Sequence, residues 1–343
     1  MQLHGIRARL AAVFWRVALR PLVLVAPSVG SAFGQRSACA LLCPTVGPVI
    51  RQIEATSVYR KGDQTRSEMD FRLWATNTYL VAPTRHFQSV VSILADASLR
   101  DRSGVVRSCL LQILRSWAQN SAFLDKPDTP NGRFVQGWVL GTLALVILKS
   151  DLRNAAEADP HIRPWLEKLT KDVIAFYQKR KTKNNLTSWA AMSVLAASTI
   201  TKDSAARTIA TSWYQHAIDD ISDEGLPSHE LGRGQRAVHY FYFGAQPLYI
   251  FYRLQHLGSE LPPPPGKLKH YLDNLVDNLS ARTLDKRFGE QVKPKEIGWL
   301  SLYFAQLNSE SRGLDQREFI PRLGGRVDLL GQTLKAAEGS RSV

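Results

Sequence analysis

Apolar residues recur at spacings of three and four through most of this chain. Phe87–Leu99, Val106–Ser116, Gly137–Lys149, Pro164–Lys179, Thr187–Thr199, Ser204–Ile221 and Leu268–Leu279 all carry the pattern. Each stretch therefore presents an apolar stripe on one helix face. Strict alternation, the mark of a half-buried strand, is rare and short. Helices of about 11–18 residues joined by short polar turns predict an all-α fold, a toroid or array of helical hairpins. Turns are marked by Asp125–Gly132, Asp223–Pro227 and Leu261–Gly266, the last stiffened by four prolines. Arg51–Asp70 is polar and charged and reads as a mobile loop, and Ala336–Val343 as a frayed tail. Neither a strict repeat nor a composition shift marks a second domain.

The N-terminus departs from this pattern. Met1–Arg20 contains Arg7, Arg9, Arg16 and Arg20, and the apolar run Pro21–Phe33 follows, ending in small residues before Gln35. A basic lead, an apolar core and a small-residue cleavage point predict a signal peptide over residues 1–34, leaving one domain over 35–343. The expected location is then periplasmic or secreted. The apolar core is too short to span a bilayer, no later segment reads as apolar enough for long enough to do so, and no membrane span is expected in the mature chain.

Charge and cysteines sharpen the choice of partner. Lys and Arg number 44 against 30 Asp and Glu, a formal charge of +14. Such a surplus favours a polyanion. The polyanions in question are nucleic acid, an anionic membrane and an acidic polysaccharide; no nucleic-acid motif appears and export disfavours nucleic acid further, and the chain is expected to act as a monomer. Cys39, Cys43 and Cys109 would enter an oxidising compartment. With three cysteines, one is left over or pairs outside the chain. Their spacing suits no zinc site, and neither metal nor cofactor is expected.

Candidate chemistry concentrates in Glu224–Pro247, EGLPSHELGRGQRAVHYFYFGAQP. At helical spacing Arg236, His239, Tyr240 and Phe243 share one face. A cation, an imidazole and a phenol there can bind a carboxylate and move a proton beside it. Lys183–Ala191, KNNLTSWAA, is the second segment of interest. Asn184 and Asn185 equally suit the N-cap of a helix starting near Thr187, and Trp189 equally suits a core. Tyr240 and Tyr242 equally suit core aromatics with wet tips, and Arg236 equally suits an ion pair with Glu230 or Asp223.

KNNLTSWAAMSVLAAS resembles the Asn-Asn-His…Tyr-Trp-Ala-Ala segment of the alginate lyases of polysaccharide lyase family 5, and DEGLPSHELGRGQRAVHYFYFGAQPL resembles that family's Leu-Pro-Asn-Glu-Leu…Arg-Ala-Leu…Tyr-His-Asn-Tyr segment. Weaker echoes at Ser57–Ser67, Cys109–Gln119, Glu296–Leu307 and Arg322–Val327 follow in the family's order. The resemblance implies an incomplete (α/α) toroid with a central cleft. It implies β-elimination on a 1,4-linked uronic acid polymer, alginate or polymannuronate or a glucuronan-like chain, without a metal. The carboxylate is neutralised, a base removes the C5 proton, and an acid protonates the leaving oxygen.

Residue by residue, the motif asparagine falls on Asn185 and the motif arginine on Arg236, but the motif histidine falls on Leu186 and the motif tyrosine on Phe243. Neither replacement can donate or accept a proton. The expected catalytic set is therefore Asn185 and Arg236 on the carboxylate, with His239 and Tyr240 or Tyr242 handling protons. Tyr59, Arg60 and Lys61 match the family's lid-loop region and, with Asn184, Trp189 and Arg233, form the expected substrate-binding set. The alternative is a catalytically degenerate protein that binds such a polymer without cleaving it. Cys43 and Cys109 match family cysteines, which implies a Cys43–Cys109 disulfide with Cys39 free.

Overall fold

Asp70 opens the first helix among the described residues, its carboxylate accepting from the Arg72 and Leu73 N–H groups. In chain order the helices are α1 Phe71–Ser98, α2 Val105–Gln119, α3 Pro130–Lys149, α4 Arg153–Ala158, α5 Ile162–Gln178, α6 Asn185–Thr201 and α7 Ser204–Asp219. They continue as α8 Ser228–Leu231, α9 Ala237–Gln255, α10 Gly266–Ala281, α11 Thr283–Phe288, α12 Leu300–Gln306 and α13 Val327–Ala336. A two-residue hairpin, β1 Phe319–Ile320 with β2 Gly325–Arg326, pairs antiparallel near the end. This computed structural model describes residues 43–182, 184–289, 295–310 and 313–336. The expected leader over residues 1–34 and Cys39 lie outside the described residues.

The architecture is an incomplete (α/α) toroid. The pairs α1/α2, α3/α5, α6/α7 and α9/α10 are packed hairpins, and α1, α3, α6 and α9 pack side by side in that order as the inner layer. The outer helices bury one stripe each, Cys109, Leu110, Ile113, Leu114 and Trp117 in α2 for example. The inner helices α3 and α6 are buried nearly all round, as expected for elements packed on several sides. Small residues at Ala190, Ala191, Ser193, Ala196 and Ala197 let the neighbours of α6 approach closely.

One such approach sets the α3–α6 crossing. A Cβ placed on Gly141 would lie 2.5 Å from Ser193 Oγ and 3.3 Å from Met192 Cε. Gly141→Ala is therefore expected to destabilise the fold by about 1–3 kcal/mol. Ser193→Ala removes the clashing oxygen and should return most of that loss in the double variant. Additive losses in chemical denaturation would place the strain elsewhere.

Two expectations are corrected. Helix α1 begins at Phe71 rather than near Phe87. Its first turns are solvated, with Phe71 76% and Tyr79 81% exposed, so no buried stripe marked them. Helix α3 is long and apolar enough to cross a membrane by length and composition, contrary to the expectation that no such segment follows the leader. Its apolar window is 72% buried inside the protein, against α1, α5 and α6, so packing accounts for its composition.

Two ties fix the segment at Cys43 and the C-terminal hairpin to the ring. Cys43 and Cys109 form a disulfide with Cα atoms 5.6 Å apart, closing 66 residues of sequence onto α2. Loop closure of that length contributes roughly 4 kcal/mol in the chain-entropy description. At the other end, buried Lys149 of α3 pairs with Asp96 of α1 and donates to the Gly324 carbonyl. The Arg326 N–H also donates to Asp96, at 3.0 Å. This polar knot anchors the β1–β2 hairpin against α1 and α3, and the turn between its strands carries Arg322.

Candidate active site

The inner helices enclose a cleft of about 400 Å³. Trp74, Asn77 and Arg85 reach it from α1, and Asn131, Phe134 and Trp138 from α3. The start of α6 supplies Asn184, Asn185 and Leu186, and α9 supplies His239, Tyr240 and Phe243. Tyr59 and Arg66 come from the loop before α1, Arg233 from the turn before α9, and Arg322 from the C-terminal turn.

The N-terminus of α6 is set by Asn184, whose side chain accepts from the Leu186 N–H at 3.2 Å, so the capping reading holds while Asn184 also faces the cleft. Asn185 donates through Nδ2 to Glu230 Oε1 at 2.6 Å. The other Glu230 oxygen accepts from Arg233 Nε at 2.7 Å. Arg233 in turn lies over the Tyr240 ring, 4.6 Å from its centroid. The Tyr240 hydroxyl bonds the Tyr59 hydroxyl. A buried carboxylate thus ties the amide, the guanidinium and the two phenols into one chain.

Electrostatics separates the two proton-bearing groups. Burial, then the cations Arg236, Arg322 and Lys295, push the His239 pKa down to about 4. Burial, then the neighbouring Tyr59, push the Tyr240 phenol well above its ordinary value. At neutral pH the imidazole is therefore unprotonated and the phenol protonated. Their rings meet edge to face with centroids 5.5 Å apart. His239 Nδ1 is buried and has no hydrogen-bond partner. Phe243 stacks near the same imidazole at 6.3 Å and packs on Trp138 and Trp189. With Leu186 it makes an apolar wall, which is why the histidine is desolvated.

The expected site residues divide cleanly. Asn184, Asn185, Arg233, His239, Tyr240 and Tyr59 are brought together in the cleft. Tyr242 is not: it is buried with its hydroxyl donating to the Leu275 carbonyl at 2.8 Å, and its phenol is pushed up to about 12. Two residues after Tyr240, it necessarily points away on a helix. Trp189 is fully buried beneath Phe243, its Nε1 donating to the Phe243 carbonyl at 3.2 Å, so it is core and not a sugar platform. Arg236 sits in the 3-10 turn before α9 and does not share its face. It is buried outside the cleft lining, with Nη1 3.3 Å from Met69 Sδ, and acts on His239 and Tyr240 through its charge. Arg60 is exposed and paired with Glu68, and Lys61 is exposed outside the lining. The loop carrying them is internally tied: the Asp63 carboxylate accepts from the N–H groups of Thr65, Arg66, Ser67 and Glu68. The cations that do reach the cleft and were missed are Arg66, Arg85 and Arg322. Arg322 pairs with Glu296 and lies about equally over Trp138, Trp189 and Phe243, 5.1–5.3 Å from their centroids. Among the described residues, no cluster of three or more His, Cys, Asp or Glu could hold a metal ion.

The depressed His239 pKa makes a stability prediction. Its ordinary value is 6.5, so on acidification the unfolded chain takes up this proton before the folded one does. The folded state should lose stability as pH falls from about 6.5 towards about 4, by on the order of 3 kcal/mol in all. His239→Gln should remove that slope while leaving the rest of the pH profile. Unfolding curves of the two proteins that stay parallel from pH 7 to pH 4 would contradict the assignment.

Residues 80–285 match the family model described as alginate lyase. A polysaccharide lyase of Stenotrophomonas maltophilia is 27% identical over 92% of this chain and 95% of its own length. An alginate lyase of Pseudomonas aeruginosa is 23% identical over 88% of each. Among solved structures, alginate lyase A1-III from Sphingomonas species A1 superposes with a TM-score of 0.68, at 20% identity, covering 85% of this chain and 86% of that one. A histidine-to-alanine variant of A1-III complexed with a tetrasaccharide superposes with a TM-score of 0.67, at 18% identity, over 88% and 91%. With a family match spanning more than half its length and these relatives along nearly all of it, the chain belongs to the alginate lyase family.

Proposed function

We propose that this protein is a polysaccharide lyase that cleaves a 1,4-linked uronic acid polymer by β-elimination, with alginate as the first substrate to try and a glucuronan-like polymer as the second. The observation that carries the reading is the pairing of an unprotonated imidazole, His239, with a protonated phenol, Tyr240, in a cleft lined by arginines. Elimination needs one group that accepts the C5 proton and another that delivers a proton to the leaving glycosidic oxygen. His239 takes the first role and Tyr240 the second. Asn185, Arg233 and Arg322 neutralise the carboxylate, which makes the C5 proton removable. Binding an anion among these cations also offsets their field on His239, raising its pKa towards a useful range for a base. The relatives, a polysaccharide lyase and an alginate lyase, support the substrate class. The mature domain over residues 35–343 would act in the periplasm or outside the cell.

The test is ultraviolet absorbance of the unsaturated uronate product, with purified protein mixed in turn with polymannuronate, polyguluronate, glucuronan, hyaluronan and pectate. A rise on one or more polymers is expected, and His239→Ala should suppress it. The specific observation favouring the other reading is that Leu186 and Phe243 face the cleft without chemistry. A flat trace on every polymer, with salt-sensitive binding to one of them, would leave a binding protein on a lyase scaffold.

A further inference from the structure

Arg180 follows α5 at the head of the polar stretch before α6, within the basic run Lys179–Lys181. It does not behave as a solvated charge. Its guanidinium lies over the rings of Phe134, Phe176 and Tyr177, 4.8, 5.7 and 5.9 Å from their centroids. Its Nε is buried without a hydrogen-bond partner. Phe134, the ring it lies nearest, is part of the cleft wall. One helical turn further along α3, Trp138 carries Arg322 in the same manner. The two stacked guanidiniums are thus offset by one turn of one helix, a rise of ~6 Å for four residues.

Arg66 stands on the loop before α1. Arg66 lines the cleft, and its carbonyl lies 3.5 Å from the Tyr240 hydroxyl. Its backbone is in the left-handed region, φ 54°, which a non-glycine residue adopts at a cost. Asp63 holds it there by accepting the Arg66 N–H at 3.1 Å. Neither Arg66 nor Arg180 makes an ion pair among the described residues. The two cations are near enough that Arg66, after burial, helps lower the Arg180 pKa. Like charges brought together beside an apolar wall, with no carboxylate between them, are an arrangement that an anion would relieve.

We propose that Arg66 and Arg180 form a second carboxylate-binding position of the cleft, next to the reacting centre, which holds the neighbouring uronate of the polymer. This rests on the reading of the cleft as a polyuronate site. Arg66 supplies the loop side and Arg180 the wall side. The stacked rings hold the Arg180 fork in place, so little freedom is lost when it grips a carboxylate. The position lets the protein distinguish a charged neighbour from a neutral one and adds affinity only for chains long enough to reach it.

The test is calorimetric binding of a size series of saturated mannuronate oligomers, from dimer to hexamer, to wild type, Arg66→Gln, Arg180→Gln and Arg180→Lys. Wild type should gain affinity with length. Each Gln variant should weaken hexamer binding roughly tenfold, as for one charge-assisted contact, and leave dimer binding nearly unchanged. Arg180→Lys should keep part of the gain, because it retains charge without the fork, and it guards against misreading a folding defect. Variants that bind hexamer as wild type does, or that weaken dimer and hexamer equally, would overturn the second position alone. A wild-type protein that binds no oligomer would remove the polyuronate reading itself, and the second position with it.

Discussion

Tyr240→Phe is expected to lower turnover of the polymer in the proposed reaction by roughly 10²–10⁴-fold, the usual contribution of one positioned proton-transfer group, and to leave polymer affinity within a few-fold. The expectation follows from where the hydroxyl sits. It is buried, bonded to the Tyr59 hydroxyl, with Arg233 4.6 Å from its ring centroid and its proton held well above the ordinary phenol range. Such a group is a proton donor at neutral pH and does not anchor a sugar by charge. A kcat loss with KM held is therefore its signature. Tyr59→Phe should give a smaller loss of the same kind, since Tyr59 orients the Tyr240 hydroxyl and can return its proton. Steady-state kinetics on the polymer that responds in the absorbance test decides the matter. Unchanged kcat in Tyr240→Phe would move the acid elsewhere, and Tyr59 would be the next phenol to try.

In the proposed lyase, Leu186 and Phe243 stand at the two positions where the resemblance leads one to expect a histidine and a tyrosine. They are not gaps. Phe243 packs on Trp138, Trp189 and the His239 ring, and the resulting wall desolvates the imidazole. The proposed proton-handling groups, His239 and Tyr240, stand on the Phe243 helix, four and three residues earlier. The cleft retains its cations but draws them from other segments.

That shift marks the limit of what the sequence discloses. The hairpins were legible because helices α2, α5 and α10 bury a single stripe, which a spacing of three and four reveals. The solvated start of α1 carries no such stripe, and only the Asp70 cap encodes it. Within the site, Asn185, His239 and Tyr240 were legible because they lie in two short segments rich in polar and aromatic residues. Arg85 and Arg322 were not. They are 237 positions apart in the chain, and only the packing of the β1–β2 hairpin on α1 and α3 brings them together. Arg236 does not share the face that spacing predicts, because the helical count begins at Ala237. Spacing rules hold only inside an element, and here the first residue counted lies in the turn before it.

The second large effect concerns Glu230, which is not among the residues lining the large cleft and yet organises it. Its side chain is 2% exposed. One oxygen accepts from the Asn185 side chain at 2.6 Å and its backbone N–H at 3.3 Å, the other from Arg233 at 2.7 Å. Removing one member of a buried pair leaves the other charge and its donors unsatisfied, and typically costs about 3–5 kcal/mol. Glu230→Ala should therefore lower the unfolding free energy by that amount in urea. Activity should fall as well, because Arg233 is freed from the Tyr240 ring and from its 3.3 Å contact with the Thr65 carbonyl. Glu230→Gln separates the two consequences. A carboxylate only accepts, which fixes the Asn185 amide with Nδ2 towards Glu230 and leaves its Oδ1 buried without a partner. Glutamine can donate to that oxygen, so the amide can turn over and part of the stability returns. Arg233 still loses its anion, so activity should stay low in Glu230→Gln even as the melting temperature recovers. A Gln variant restored in both stability and kcat would show that shape alone, and not the Glu230 charge, holds the site together.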